Sequence, residues 1–179
     1  PTFMMVTDRA DRSGMVSVDL LHFLGKWLTD RGATVTVLEG GNLYDRFHAN
    51  RDVASVAEYL GVPSEHYTVI DAGRVQVEHH YLRGLDQHGI AAPWRDAALR
   101  IRFGKRRSHP TCTAMLSMAA AERLADRHDL HTFADRRADR ELTISMLLDA
   151  FPPDLALIDA CECVADGLLG MMGTDHPRN

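Results

Sequence analysis

The sequence is short of cysteine, nearly devoid of lysine and free of long apolar runs. Its three cysteines, Cys112, Cys161 and Cys163, form no C-x-x-C pair. That excludes a disulfide framework and a ferredoxin-type or zinc-ribbon motif, so no iron–sulfur motif is present. No stretch approaches the roughly 20 apolar residues of a membrane span, and no signal-peptide pattern stands at the start. A reducing cytoplasm is the expected home. A surplus of positive charge is also missing: the formal net charge is -5, which argues against a nucleic-acid footprint. The G-x-x-x-x-G-K-[ST] and G-x-G-x-x-G patterns are both absent, so no nucleotide cofactor can be named. Lysine occurs only as Lys26 and Lys105 among 20 basic residues. In so arginine-rich a background, a lysine at a strand end merits inspection.

What is present is an ordinary globular composition: 179 residues, 45% hydrophobic and 25% charged. This length suits one well-buried core, and residues 1–179 read as a single domain. The opening at Pro1 and the polar close from Asp175 to Asn179 fit an excerpt of a longer chain. Thr2 to Val6 reads as a first strand and Asp8 to Gly14 as a polar loop. From Met15 to Arg31, Leu20, Leu21, Leu24, Trp27 and Leu28 recur at helical spacing, and Gly32 supplies the stop. Ala33 to Leu38 is β-branched and runs into the turn Glu39-Gly40-Gly41-Asn42. A second helix is expected from Asn50, as N-cap, to Leu60, with Gly61 as terminator. Tyr67 to Ile70 is a strand ending at Asp71. Val75 to Leu82 reads as an edge strand and Arg83 to Pro93 as a loop. Leu99 to Phe103 is a strand followed by the basic turn Gly104 to Pro110, with Pro110 opening a helix to about Ala125. A helix from Asp139 to Ala150 breaks at Phe151-Pro152-Pro153. Leu155 to Ile158 is the last strand, ending at Asp159. Strands alternating with helices imply an α/β fold: a mainly parallel sheet with helices on both faces, Rossmann-like and three-layered.

In such sheets ligands bind at the carboxyl ends of the strands. The residues following the expected strands are Asp8, Glu39, Asp71, Lys105 and Asp159, all ionisable. Gly104 to Pro110 is the sharpest feature, because Lys105, Arg106, Arg107 and His109 would precede a helix N-terminus. There free N–H groups and a partial positive charge favour a carboxylate or phosphate. A solvated basic turn is the plainer alternative. His79 and His80, adjacent on an extended segment, point to opposite faces and suit no common metal. His128 and His131 fit a helix end, and Met146, Leu147, Met171 and Met172 read as core or loop packing.

The stretch Arg100-Ile-Arg-Phe-Gly-Lys105-Arg-Arg-Ser-His109, followed by Thr111, Thr113 and Ser117, resembles a bacterial and archaeal family catalogued as domain of unknown function 362. The family's lysine-x-lysine-threonine-histidine-like turn has its counterpart there. Its later apolar strand closing on Asp, and its glycine-rich loop, match Leu155-Ala-Leu-Ile-Asp159 and Asp166-Gly167-x-x-Gly170. The Gly32-Ala-Thr-Val-Thr-Val strand and Glu39-Gly-Gly turn also fit the family layout. Where family members carry Lys-Asn in the helix after the serine, this chain has Ala121-Glu122. Some relatives carry a ferredoxin-like module, so the resemblance implies a redox partner.

The expected function is that of an enzyme acting on a small anionic metabolite in bacterial specialised or redox metabolism. Lys105 and His109 would bind the anion or stabilise developing negative charge. His109 carries a proton near neutral pH, and Asp159, or Asp71 across the cleft, serves as general base or orients the histidine. Glu39, Gly40, Asp71, Arg107, Thr111, Asp166 and Gly167 would complete the ligand site. The alternative is a non-catalytic module that holds a metabolite or cofactor for a partner protein. A third reading is a divalent cation held by Asp71, Asp159 and Asp166. Besides the anion, a second copy of the chain is an expected partner; nucleic acid and membrane are not.

Overall fold

A computed structural model describes residues 1, 3–4, 12, 14–41, 49–81, 88–109, 113–125 and 137–164. The first regular element, α1 (Val18–Thr29), begins where the Ser17 side chain accepts a hydrogen bond from the Leu20 N–H at 3.3 Å. That cap sets the helix start three residues inside the apolar pattern. Leu21 and Gly25 form its buried face. A Cβ on Gly25 would stand 2.4 Å from the Tyr67 ring, so glycine there allows the close approach. The chain leaves the helix through Gly32 at φ +86°, a left-handed value glycine adopts freely.

Strand β1 (Thr36–Glu39) follows, then α2 (Val53–Leu60) and β2 (Thr68–Asp71). The N-cap of α2 is Asp52 and not Asn50: Asp52 accepts from the Ser55 N–H at 3.0 Å and from the Ser55 hydroxyl at 2.7 Å. Asn50 instead takes φ 61° and turns the chain toward that cap. Gly61 ends α2 at φ 74°, as expected. β1 and β2 pair in parallel, Thr36 to Thr68 through Glu39 to Asp71.

A short 3₁₀ turn (Ala72–Arg74) leads into β3 (Gln76–His79), which pairs antiparallel with β4 (His88–Ala91). From residue 88 on, where it is described, the loop expected over Arg83 to Pro93 is therefore strand and helix. β4 and the short helix α3 (Ala92–Asp96), with Pro93 in its first turn, occupy most of it. Ile90 and Ala91 are wholly buried, so tertiary burial overrides the weak local strand signal.

The largest difference lies at β5 (Ile101–His109). The strand does not stop at Phe103 but continues through Gly104 to His109 and pairs antiparallel with β6 (Thr113–Met115). β6 thus lies where the expected helix from Pro110 to about Ala125 would run. The helical segment that follows is 3₁₀ and spans Ser117–Leu124. Helix α4 (Arg137–Ala150) leads through Phe151-Pro-Pro to β7 (Leu155–Val164), parallel to β5.

The architecture is thus mixed α/β, with two parallel pairs, β1–β2 and β5–β7. Among the described residues the strands form two two-stranded sheets and one three-stranded sheet in the order β6-β5-β7. One apolar cluster joins Phe3, Met4, Leu21, Val37, Val56 and Phe103, linking α1, α2, β1 and β5. A second gathers Ile90, Trp94, Ala121, Leu124 and Leu147 around the 3₁₀ segment. Met146 and Leu147, expected in core or loop packing, are buried. No described helix is long and apolar enough to cross a membrane. The expected first strand falls mostly outside the described residues, as do His128, His131 and the glycine-rich segment after Val164.

Candidate functional site

Parallel pairing sets charged residues opposite one another in both pairs. In β1–β2, Glu39 stands across from Asp71; in β5–β7, Lys105 stands across from Asp159. The two pairs use their charges differently.

The Lys105 ammonium lies 3.1 Å from Asp159 Oδ2, with only 4% of the lysine side chain and none of the aspartate side chain exposed. Lys105 Nζ also donates to the Cys161 carbonyl. Asp159 Oδ2 accepts the Ser17 N–H at 2.9 Å, and Oδ1 accepts the Cys161 N–H at 3.0 Å. The carboxylate thus sits at the N-terminal end of α1, where the helix dipole favours negative charge. Beyond this point the ladder slips. Lys105 pairs with Asp159 but Arg107 pairs with Val164, so Ala160 to Cys163 stand opposite the single residue Arg106. The ion pair closes that irregularity through both the N–H and the carbonyl of Cys161. Asp159 is therefore inside β7 and not at its end, and the pair ties β5, β7 and α1 together. Desolvating two charges is expensive, and the cost is offset only where hydrogen bonds fill the remaining sites; here three donors surround the carboxylate.

Glu39, also 4% exposed, ends β1. Its Oε2 accepts the Phe3 N–H at 2.9 Å and its Oε1 accepts the Gly40 N–H at 3.2 Å. Buried Gly40 therefore shares its carboxylate with the N-terminal segment. Asp71 is half-buried and caps the 3₁₀ turn, its Oδ1 accepting the Gly73 N–H at 2.9 Å, with Arg74 Nε 3.4 Å from Oδ2. That is a local turn device.

The structure brings Lys105 and Asp159 into direct contact and sets Glu39 across from Asp71. Arg107 and His109 lie on β5 opposite Met115 and Thr113 of β6, and their side chains fall outside the described set. So do Thr111, Asp166 and Gly167 entirely. Among the described residues no group of three or more His, Cys, Asp or Glu could hold a metal ion. Asp71 and Asp159 belong to different sheets.

One charged residue escaped the sequence reading. Arg102 is 4% exposed, yet its Nε has no hydrogen-bond partner. Burial lowers its guanidinium pKa from the ordinary value. The available signal was an arginine inside the apolar run Ile101-Arg-Phe103, where a strand buried on both faces calls for apolar side chains.

No family model matches the chain, and neither the curated proteins nor the solved structures include a match.

Proposed function

We propose that this chain takes up a small anionic metabolite at the carboxyl edge of its parallel strands and acts on it as an enzyme. The observation that carries the reading is the placement of buried charge. Of the four charged residues buried among the described ones, Glu39 ends β1 of one parallel pair, and Lys105 and Asp159 stand opposite one another inside the other. Buried charge is costly and concentrates where a protein handles a ligand or a proton. The two parallel pairs, bridged by the apolar cluster holding Val37 and Phe103, support reading them as parts of one Rossmann-like, three-layer sheet. The resemblance to the domain of unknown function 362 family supports the same layout.

In this reading Lys105 contributes positive charge to the ligand, Asp159 sets the lysine's position, and His109 carries the proton. Glu39, Gly40, Asp71, Arg107, Thr111, Asp166 and Gly167 shape the remainder. The closed Lys105–Asp159 pair favours a second reading, a non-catalytic module holding the anion for a partner protein. A carboxylate already accepting three hydrogen bonds is a poor general base.

Native mass spectrometry of freshly purified protein tests both. A retained anionic ligand, lost from a Lys105→Met, Asp159→Asn double variant, supports the site. Consumption of that ligand by wild-type protein but not by His109→Ala selects the enzyme; retention without turnover selects the module. A ligand held equally by the double variant would remove the carboxyl-edge site.

A further inference from the structure

Arg102 occupies the face of β5 opposite the Lys105–Asp159 pair. Phe103 belongs to the core cluster shared with α1, and Lys105 reaches the start of that helix. Strand alternation therefore turns Arg102 and Gly104 the other way. A Cβ on Gly104 would meet the backbone of Ser117 at 2.6 Å (Cα) and 3.0 Å (N), and the Leu116 carbonyl oxygen at 3.1 Å. The missing side chain thus lets the start of the 3₁₀ segment Ser117–Leu124 press directly onto the strand, beside Arg102.

That seam holds an unmatched donor, Arg102 Nε. Guanidinium carries five N–H groups, and among the described residues none accepts a hydrogen bond from Arg102 or forms an ion pair with it. The 3₁₀ segment starts with no side-chain cap hydrogen bond from its N-cap residue, Leu116. Ser117 is itself buried. A buried cation with no counter-charge is a strong liability if its role is packing, because an apolar side chain of similar volume would fill the space without the desolvation cost. It ceases to be one if an anion completes it.

We propose that Arg102 holds an oxyanion, a carboxylate or phosphate group, in the seam between β5 and the start of the Ser117–Leu124 segment. The fork geometry of the guanidinium matches two oxygens of such a group, and buried Ser117 stands beside it. This site lies on the opposite face from the carboxyl-edge pair and does not rest on the function proposed above.

Thermal unfolding in titrations of inorganic phosphate and, separately, sodium acetate, each against sodium chloride at matched ionic strength, tests it. The wild-type midpoint is expected to rise saturably with phosphate, acetate or both, beyond the chloride control. An acetate response marks a carboxylate site; a response to phosphate alone marks a phosphoryl site. Arg102→Met is expected to melt higher than wild type in chloride and to lose the oxyanion response. Arg102→Lys is expected to need about tenfold more oxyanion for half its shift, because an ammonium cannot grip two oxygens in plane. The Lys105→Met, Asp159→Asn variant should keep the response, which separates this site from the carboxyl edge. The proposal is overturned by a wild-type response to neither oxyanion, by an undiminished response in Arg102→Met, or by loss of stability in that variant. Failure of Arg102→Met to fold counts the same way, since a charge without a partner cannot be what holds the fold.

Discussion

Lys105 and Arg102 sit three residues apart on one strand and are equally buried, at 4% exposure each. They nonetheless occupy opposite electrostatic situations. Lys105 faces a carboxylate that also gathers two backbone N–H groups, whereas Arg102 faces the 3₁₀ segment with no counter-charge among the described residues. Burial alone therefore says little about what a charged residue contributes. What matters is whether its charge and its N–H groups meet partners once water has been removed.

The sharpest way to break this contrast is to make the first side resemble the second. Asp159→Ala leaves Lys105 buried and uncompensated, and is expected to lower the stability read by urea unfolding by about 3–5 kcal/mol. Lys105→Met, Asp159→Asn removes both charges and should recover most of that loss. If Asp159→Ala is nearly neutral, Lys105 has another partner and the contrast collapses.

Gly104→Ala probes the packing that defines the other side. The new methyl meets backbone and not a flexible side chain, so the 3₁₀ segment must shift, at about 1–3 kcal/mol. The same unfolding measurement reads it. A smaller effect comes from a control on another element: Asp52→Ala removes the cap of α2 and should cost about 1 kcal/mol. A loss as large as that of Asp159→Ala would mean that the buried pair is no more important than an ordinary helix cap.

Two tyrosines extend the comparison to neutral polar groups. Tyr67 donates its hydroxyl hydrogen to the Val62 carbonyl, while the Tyr81 hydroxyl is buried with no partner. Burial pushes each hydroxyl pKa up to about 12 from its ordinary value of 10.0. Because the folded state holds these protons more tightly than the unfolded chain, their contribution is present in full below pH 10. It is lost as pH rises from 10.0 through about 12. Alkaline unfolding should therefore set in across that window, and Tyr67→Phe and Tyr81→Phe should each flatten it. At neutral pH Tyr67→Phe is expected to cost about 1 kcal/mol for the lost hydrogen bond, and Tyr81→Phe close to nothing.

Local signals carried much of the fold. Gly61 ends α2 in the left-handed conformation its position implied, β2 ends at Asp71, and Phe151-Pro-Pro separates α4 from β7. The contact of Lys105 with Asp159 joins two residues that the strand ends had singled out. Other elements gave misleading local signals. Gly104 to His109 reads as a basic turn because four basic residues so close together rarely form a buried strand. The chain is strand there because Asp159, distant in sequence, neutralises Lys105, and because β6 folds back along it. Asn50 and Asp52 are both good caps two residues apart, and the backbone turn at Asn50 determines which is used.

By itself the sequence determined the α/β class, most element positions and the glycine stops, because these follow from backbone preferences and from apolar spacing within one segment. Only tertiary structure decided which buried charge would be compensated. A counter-charge is supplied by whichever strand or helix end the fold brings alongside, and neither Lys105 nor Arg102 carries that information in its own neighbourhood.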